Sequence, residues 1–295
     1  MALLNHHRSA ISRLFSSSVV RELATRGKSA LFTRLAGEAN LFRDLARTDS
    51  VGDAFEAAFS ILKDRAHRDE YVYRAALMHK VLLGTHSLQT ASAISEFRVG
   101  ECKADLVILN GTSTVYEIKS ERDSLARLTQ QISAYVKIFS RVYVIAAEKH
   151  VDAILRSTSP DVGVMALSRR YQISTLREAA DRSADICCES LFHSLRTREA
   201  QLILEEMGVP VPSTPNTLLH AALKSEFKKL PPQELHQSFV GVLKRTRKLT
   251  PLKHLIEDLP PSLTAAALSV PLRKKDHQQL IDAVHTPIHE ALAWA

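Results

Sequence analysis

A block of strand-forming sequence interrupts a chain that is otherwise patterned as helix. Between residues 93 and 147 the apolar side chains leave helical spacing and form β-rich runs at 96–99, 104–109 and 115–119. Asn110-Gly111 lies between the second and third runs, and this dipeptide in that position favours a hairpin. The block therefore predicts neighbouring strands of one sheet.

Further elements surround these three strands. Apolar spacing of three and four residues predicts helices before and after them, and continuous apolar runs are typical of buried strands. In chain order the prediction comprises a helix at 69–83, the three strands, a helix at 123–139, a strand at 142–147, a helix at 151–156, and strands at 163–167 and 171–175.

This order predicts an α/β fold in which helices flank a mixed sheet. The chain before it and the chain after it are patterned as helix. We assign residues 1–68 to a helical N-terminal extension, residues 69–178 to the core and residues 179–295 to a helical C-terminal region.

The net charge of +7 and the pI near 9.4 are compatible with a nucleic-acid partner. In the middle of the chain, however, basic residues barely outnumber acidic ones, so contact with a polyanion there requires individually placed charges. Residues 224–253 hold eight Lys or Arg and two acids. This local excess indicates either nucleic-acid contact or a solvated face.

Cysteine content and apolar runs bear on the compartment. Three cysteines without CxxC spacing fit no disulfide framework, which favours a reducing, cytoplasmic location. No apolar run approaches the roughly 20 residues of a membrane span. Residues 1–21 contain three arginines, five serines and no acid, a pattern that fits either a transit peptide or a packed helix.

The chemistry is concentrated in the strands around the Asn-Gly turn. Asp105 begins one apolar run, and Glu117 and Lys119 lie two residues apart on the returning strand. Because strand side chains alternate between faces, Glu117 and Lys119 point to the same side, and the hairpin brings Asp105 back toward them. The alternative is the solvated face of an amphipathic strand.

Two carboxylates and an ammonium group in one place suit phosphodiester hydrolysis. Carboxylate oxygens are the hard ligands that Mg²⁺ or Mn²⁺ prefers, and a lysine can offset developing negative charge. A binding module would not need all three groups together. The constellation therefore predicts a hydrolytic site.

The stretch resembles the PD-(D/E)XK nuclease superfamily, and within it a little-characterised bacterial branch known by a locus-tag family name. The resemblance covers about residues 69–176. It depends on Ser95-Glu-Phe-Arg-Val-Gly, Lys103-Ala-Asp, Val115-Tyr-Glu-Ile-Lys-Ser and a following helix. Ala104 stands where the motif's name has proline, a position that varies across the superfamily. The fold implied is a restriction-endonuclease-like core.

The resemblance implies roles for the central residues. Asp105 and Glu117 would bind Mg²⁺ or Mn²⁺, and Lys119 would act on the attacking water and the phosphate charge. The superfamily often adds an acid from the first core helix, for which Glu70 is the candidate. Asp69 is the competing residue, and a helix N-terminal charge is the alternative explanation.

The helix after the third strand carries a second set of candidates. Arg127, Gln131 and Tyr135 lie at i, i+4 and i+8, so they share one face. The resemblance implies that this face binds the substrate and that Gln131 takes part in catalysis; the alternative is a polar rim on an amphipathic helix. Glu96 and Arg98, which share a face one strand earlier, are weaker candidates.

The sequence thus predicts a Mg²⁺- or Mn²⁺-dependent phosphodiester hydrolase whose partner is nucleic acid, DNA rather than RNA, with no membrane partner. Phage defence, mobile-element biology and repair are all open as its setting, and a homodimer is a candidate state. The alternatives are a catalytically inactive module with the same fold that binds nucleic acid or protein, and a structural or regulatory helical protein.

Overall fold

The computed structural model describes residues 5–43 and 45–294. The chain divides into two compact units. As far as its residues are described, the helical unit takes them from Met1–Val81, Arg169–Tyr171 and Leu249–Ala295. The sheet unit consists of Leu82–Ser168 and Gln172–Lys248. No helix within the described ranges has the length and apolar character that a membrane crossing requires.

The helical unit begins with five helices: α1 Asn5–Leu14, α2 Ser17–Arg26, α3 Ala30–Glu38, α4 Val51–Lys63 and α5 Glu70–Leu77. A capping box starts α4, where Ser50 Oγ accepts from Asp53 N and the Asp53 carboxylate accepts from Ser50 N. A π-helical turn, Met78–Leu83, follows α5 directly. The helix predicted at 69–83 is therefore present with a change of pitch.

The sheet unit contains six strands: β1 Ser92–Val99, β2 Cys102–Leu109, β3 Ser113–Lys119, β4 Arg141–Ala146, β5 Gly163–Leu167 and β6 Ile173–Arg177. They are ordered β1 to β6 across one sheet. Pairs β3–β4 and β4–β5 are parallel, and the other three pairs are antiparallel. The predicted α/β fold with a mixed sheet is confirmed.

The hairpin between β2 and β3 follows the Asn-Gly signal. Leu109 pairs with Ser113, so Asn110, Gly111 and Thr112 form the loop. Gly111 has φ +67°, a left-handed conformation that glycine adopts without a steric penalty. The local turn thereby sets the register that aligns Leu106 with Tyr116 further along the ladder.

Helices α6 Leu128–Tyr135 and α7 Glu148–Ser157 connect the parallel strands. Leu128 and Ile132 of α6 pack in one core with Val115 and Val144 of the sheet. Glu117 and Lys119 have the same strand parity as Val115, so they lie on the α6 side. Helix α6 is shorter than the helix predicted at 123–139.

Four further helices complete the sheet unit: α8 Cys188–His193, α9 Thr197–Glu206, α10 Asn216–Phe227 and α11 Pro232–Thr246. Arg247, just after α11, donates to both carboxylate oxygens of Glu199 on α9 at 2.7 Å. The Arg247 guanidinium also lies over the Phe97 ring of β1. This contact links the two helices to the edge strand.

His236 of α11 makes the stability of the sheet unit depend on pH. The ring is 3% exposed, and its Nε2 lies 2.9 Å from Ser113 Oγ. Burial lowers the pKa of His236 below its ordinary range, while the charge on Asp181 acts the other way. The unfolded chain therefore binds the proton more readily than the folded protein, and the free energy of unfolding falls as the pH drops below about 6.5.

Urea unfolding at about pH 7.5 and about pH 5.5 measures this effect. The wild type should lose more stability over that interval than His236→Gln, whose amide keeps a hydrogen bond to Ser113 and does not titrate. The difference between the two proteins isolates His236 from the other histidines. Equal losses would show that His236 is not responsible.

The chain ends in the helical unit with α12 Lys253–Asp258, α13 Thr264–Ser269, α14 His277–His285 and α15 Ile288–Ala291. The Tyr71 hydroxyl of α5 donates to the Ser262 carbonyl, and Thr33 of α3 donates to the Ala291 carbonyl. Helices from both ends of the sequence therefore share one core.

Candidate active site at the fork between two strands

Strands β2 and β3 separate beside Asp105. Their ladder ends at the pair Leu106–Tyr116, beyond which β2 continues to pair with β1 and β3 continues to pair with β4. The Asp105 carboxylate accepts a hydrogen bond of 2.7 Å from the Ile118 backbone N–H. An acidic side chain thus binds the backbone of β3 at the fork.

Glu117 and Lys119 line the β3 side of this fork. Lys119 Nζ donates to Glu117 Oε1 at 2.7 Å, and their side chains are 8% and 2% exposed for Lys119 and Glu117 respectively. Asp105 is partly exposed. The register of the ladder, extended by one residue, places Asp105 opposite Glu117 on the same face. The predicted grouping of two carboxylates and one ammonium is present.

Helix α6 supplies two further polar contacts. Gln131 Oε1 accepts from Lys119 Nζ at 2.9 Å, and the Tyr135 hydroxyl donates to Glu117 Oε2 at 2.8 Å. That hydroxyl also lies 3.0 Å from the Lys103 carbonyl oxygen. Each Glu117 oxygen is therefore bound by a donor, and Lys119 is held between Glu117 and α6.

Tyr135 is a hydrogen-bond donor whose side chain is fully buried. Burial, followed by the negative charge of Glu117, raises the pKa of Tyr135 far above its ordinary value. The phenol consequently stays protonated across the physiological pH range. Its position fits an anchor for the Glu117 carboxylate.

The donor chemistry at the fork fits a hard divalent cation. An ionised carboxylate offers about four lone-pair sites, so Glu117 retains acceptor capacity beside its two hydrogen bonds. Among residues 5–43 and 45–294, no group of three or more His, Cys, Asp or Glu side chains is arranged to hold a metal ion. An ion held by Asp105 and Glu117 would need water or phosphate oxygens for its remaining ligands, an arrangement that Mg²⁺ commonly adopts.

Three further candidate residues lie at helix N-termini, two of them in the helical unit and one in the sheet unit. Glu70 is the first residue of α5 in the helical unit; its side chain is 45% exposed and bonds to Arg74. Asp69 caps the same helix by accepting from Val72 N at 3.3 Å. Arg127 is exposed at the N-terminal end of α6. Of the α6 candidates, the structure brings Gln131 and Tyr135 to the acids and lysine.

His150 is a residue near this edge that the sequence reading did not single out. It lies in the first turn of α7, and its pKa is lowered mainly by burial, with a smaller opposite effect from a hydrogen bond at the Ser120 backbone. Strands β3 and β4 are parallel, and Lys119 pairs with Ala146. The carboxyl ends of parallel strands lie at the same edge of a sheet. The position of His150 just after the β4 run could therefore have marked it as a candidate from the sequence.

The family relationship is decided by the length of one match. A family model described as bacteriophage P4 protein cII matches residues 63–257, more than half of the chain. The chain belongs to this family. Protein cII of Enterobacteria phage P4 is 38% identical to it over 80 residues, which are 26% of this chain and 30% of that protein. The aligned stretch thus spans less than a third of that relative.

The part matched to the cII family contains every candidate residue: Glu70, Asp105, Glu117, Lys119, Arg127, Gln131 and Tyr135. A solved structure, the SPO1766 protein of unknown function from Silicibacter pomeroyi, is also similar, with 17% sequence identity and a TM-score of 0.31. That match covers 48% of this chain and 93% of the other.

Proposed function

We propose that this member of the cII family is a Mg²⁺- or Mn²⁺-dependent nuclease that hydrolyses phosphodiester bonds, with DNA as substrate. One observation supports the proposal above all. Asp105, Glu117 and Lys119 meet where β2 and β3 separate, and the polar contacts around them hold both carboxylates and the ammonium in fixed positions. The resemblance to PD-(D/E)XK nucleases remains a prediction beside it.

Each residue at the fork has a distinct role in the proposed hydrolysis. Asp105 and Glu117 would hold the divalent ion, which would offset phosphate charge and lower the pKa of the attacking water. Lys119 orients the attacking water and stabilises negative charge on the phosphate. Gln131 fixes the Lys119 ammonium, and Tyr135 fixes the Glu117 carboxylate. We therefore give Tyr135 a positioning role in place of the substrate contact that the sequence suggested.

Arg127 and Glu70 have other surroundings than the residues at the fork. Arg127 is exposed on the helix that carries Gln131, a location suited to contact with a substrate phosphate. Glu70 pairs with Arg74 in the helical unit. A third carboxylate is not required by the proposal, because water can complete the coordination of Mg²⁺.

The second candidate function is a non-catalytic module that binds nucleic acid or protein. The burial of Glu117 favours this non-catalytic function, because its side chain is 2% exposed and both its oxygens already accept hydrogen bonds. A resting ion pair between Glu117 and Lys119 would then be structural. Binding without cleavage under every metal condition would support this candidate.

The relative named above is a phage protein, which favours mobile-element biology or phage defence over repair, and we place the activity in the cytoplasm.

A substrate panel tests the proposed activity. The protein is incubated with supercoiled plasmid, single-stranded DNA and RNA, each with Mg²⁺, Mn²⁺ or EDTA. We expect cleavage of DNA with either ion and none with EDTA, because the ion's charge and acidified water are needed for the reaction. Cleavage that persists in EDTA would contradict a metal-dependent mechanism.

A further inference from the structure

Two exposed cations face each other at the turn end of the β1–β2 hairpin, one residue pair before the Gly100-Glu101 turn. Arg98 of β1 and Lys103 of β2 are register partners, and both side chains are exposed. Like charges directly opposite one another destabilise a strand pair. A sheet that retains such a pair gains from an anion that lies between the two side chains.

Glu96 supplies a negative charge to one of these two cations, and its backbone has an unfavourable conformation. Its carboxylate lies 3.1 Å from Lys103 Nζ, in a pair that is exposed on both sides. The register pairs on either side, Ser95–Leu106 and Phe97–Ala104, place Glu96 opposite Asp105. Its φ is +56°, a left-handed conformation inside a strand for a residue other than glycine. Strained backbone of this kind tends to occur at functional sites.

The cationic pair is connected to the fork through β2. Lys103 and Asp105 are two residues apart, so they share a face at a separation of about 6.7 Å. The Tyr135 hydroxyl lies within hydrogen-bond distance of both the Lys103 carbonyl and Glu117 Oε2. The backbone that carries Lys103 therefore lies close to the carboxylate that the proposed reaction uses.

We propose that Arg98 and Lys103 bind a phosphate adjacent to the one that is cleaved, and that Glu96 occupies Lys103 until this phosphate replaces it. The inference rests on the proposed nuclease activity and names the substrate class more closely. The substrate is a polynucleotide strand that presents at least two consecutive phosphates, not a mononucleotide or a small phosphodiester.

Binding in EDTA tests the cationic pair independently of cleavage. Fluorescence anisotropy with a labelled single-stranded oligonucleotide is followed over a salt series for the wild type, R98Q/K103Q, E96Q and the control Arg156→Gln on α7. The double variant should bind several-fold more weakly, and its salt dependence should flatten by about 0.7, the value for one phosphate contact. E96Q should bind more tightly because Lys103 is freed, and Arg156→Gln should match the wild type.

Steady-state cleavage then separates this inference from the proposed function. R98Q/K103Q should raise KM with kcat unchanged, because these cations contact bound substrate before and during the reaction. If no protein cleaves but the binding differences hold, the nuclease proposal fails and the phosphate site stands. Equal binding by R98Q/K103Q and the wild type, or weaker binding by E96Q, overturns the phosphate site.

Discussion

Glu117→Gln is expected to reduce the rate of DNA cleavage by about 10²–10³-fold, the range seen when a single group that stabilises transition-state charge is removed. The amide still fills the space beside Tyr135 and still offers an oxygen to Lys119. It removes the negative charge that the proposed ion requires. Initial rates of plasmid nicking in Mg²⁺ give the comparison.

The matched control for this variant is Asp152→Asn on α7. Asp152 is exposed in the sheet unit. Its substitution removes one carboxylate charge, as Glu117→Gln does, but from a residue that is not part of the fork. Its nicking rate should equal that of the wild type. A similar loss in both variants would mean that overall charge, and not the site, governs the rate.

Stability should respond to the same residues in a different way. Glu117 and Lys119 form a buried ion pair with both side chains under a tenth exposed. Removal of one partner leaves a buried charge uncompensated, which costs about 3–5 kcal/mol. We therefore expect Glu117→Gln and Lys119→Met each to lower the free energy of unfolding strongly. The double variant should recover most of the loss, because a neutral pair of similar volume leaves no buried charge.

Urea unfolding of the two single variants and the double variant measures this coupling as a double-mutant cycle. Recovery in the double variant indicates that the pair interacts as the structure describes. Additive losses, with the double variant the least stable of the three, would contradict the buried pair. The double variant lacks both Lys119 and the Glu117 charge. It should therefore recover stability without recovering nuclease activity.

Local signals explain how much of the site the sequence predicted. The Asn-Gly turn sets the hairpin register, and strand alternation places Glu117 and Lys119 on one face. Spacing in α6 likewise placed Gln131 and Tyr135 on one face. These relations involve residues close in sequence, so no knowledge of packing is needed to derive them.

Other features of the site depend on tertiary packing and could not be predicted from the sequence. Where the β2–β3 ladder ends, the Asp105 side chain accepts a hydrogen bond from the Ile118 backbone, a contact that no periodicity reveals. Helix α6 begins at Leu128, later than predicted, because Asp123 turns back to accept from Ser120. The depth at which α6 lies on the sheet buries Tyr135 and leaves Arg127 exposed.

The arrangement of the helices was equally beyond local reasoning. The sequence predicted a helical extension over residues 1–68, and within it α4 buries Phe55, Ala58, Phe59 and Leu62 at helical spacing. That Thr33 would bond to Ala291, more than 250 positions later, depends on contacts with no sequence signature. The last residues therefore return to the helical unit, whereas α8–α11 stay with the sheet.

The nicking rate of Glu117→Gln/Lys119→Met in Mg²⁺, compared with the wild type, tests the central claim most directly. This variant is expected to keep most of the wild-type stability and to remain folded under the assay conditions, so a lost rate reports on chemistry and not on unfolding. We predict a loss of at least about 10³-fold, since a metal ligand and the lysine disappear together. Nicking by the double variant at the wild-type rate would contradict the assignment of the site.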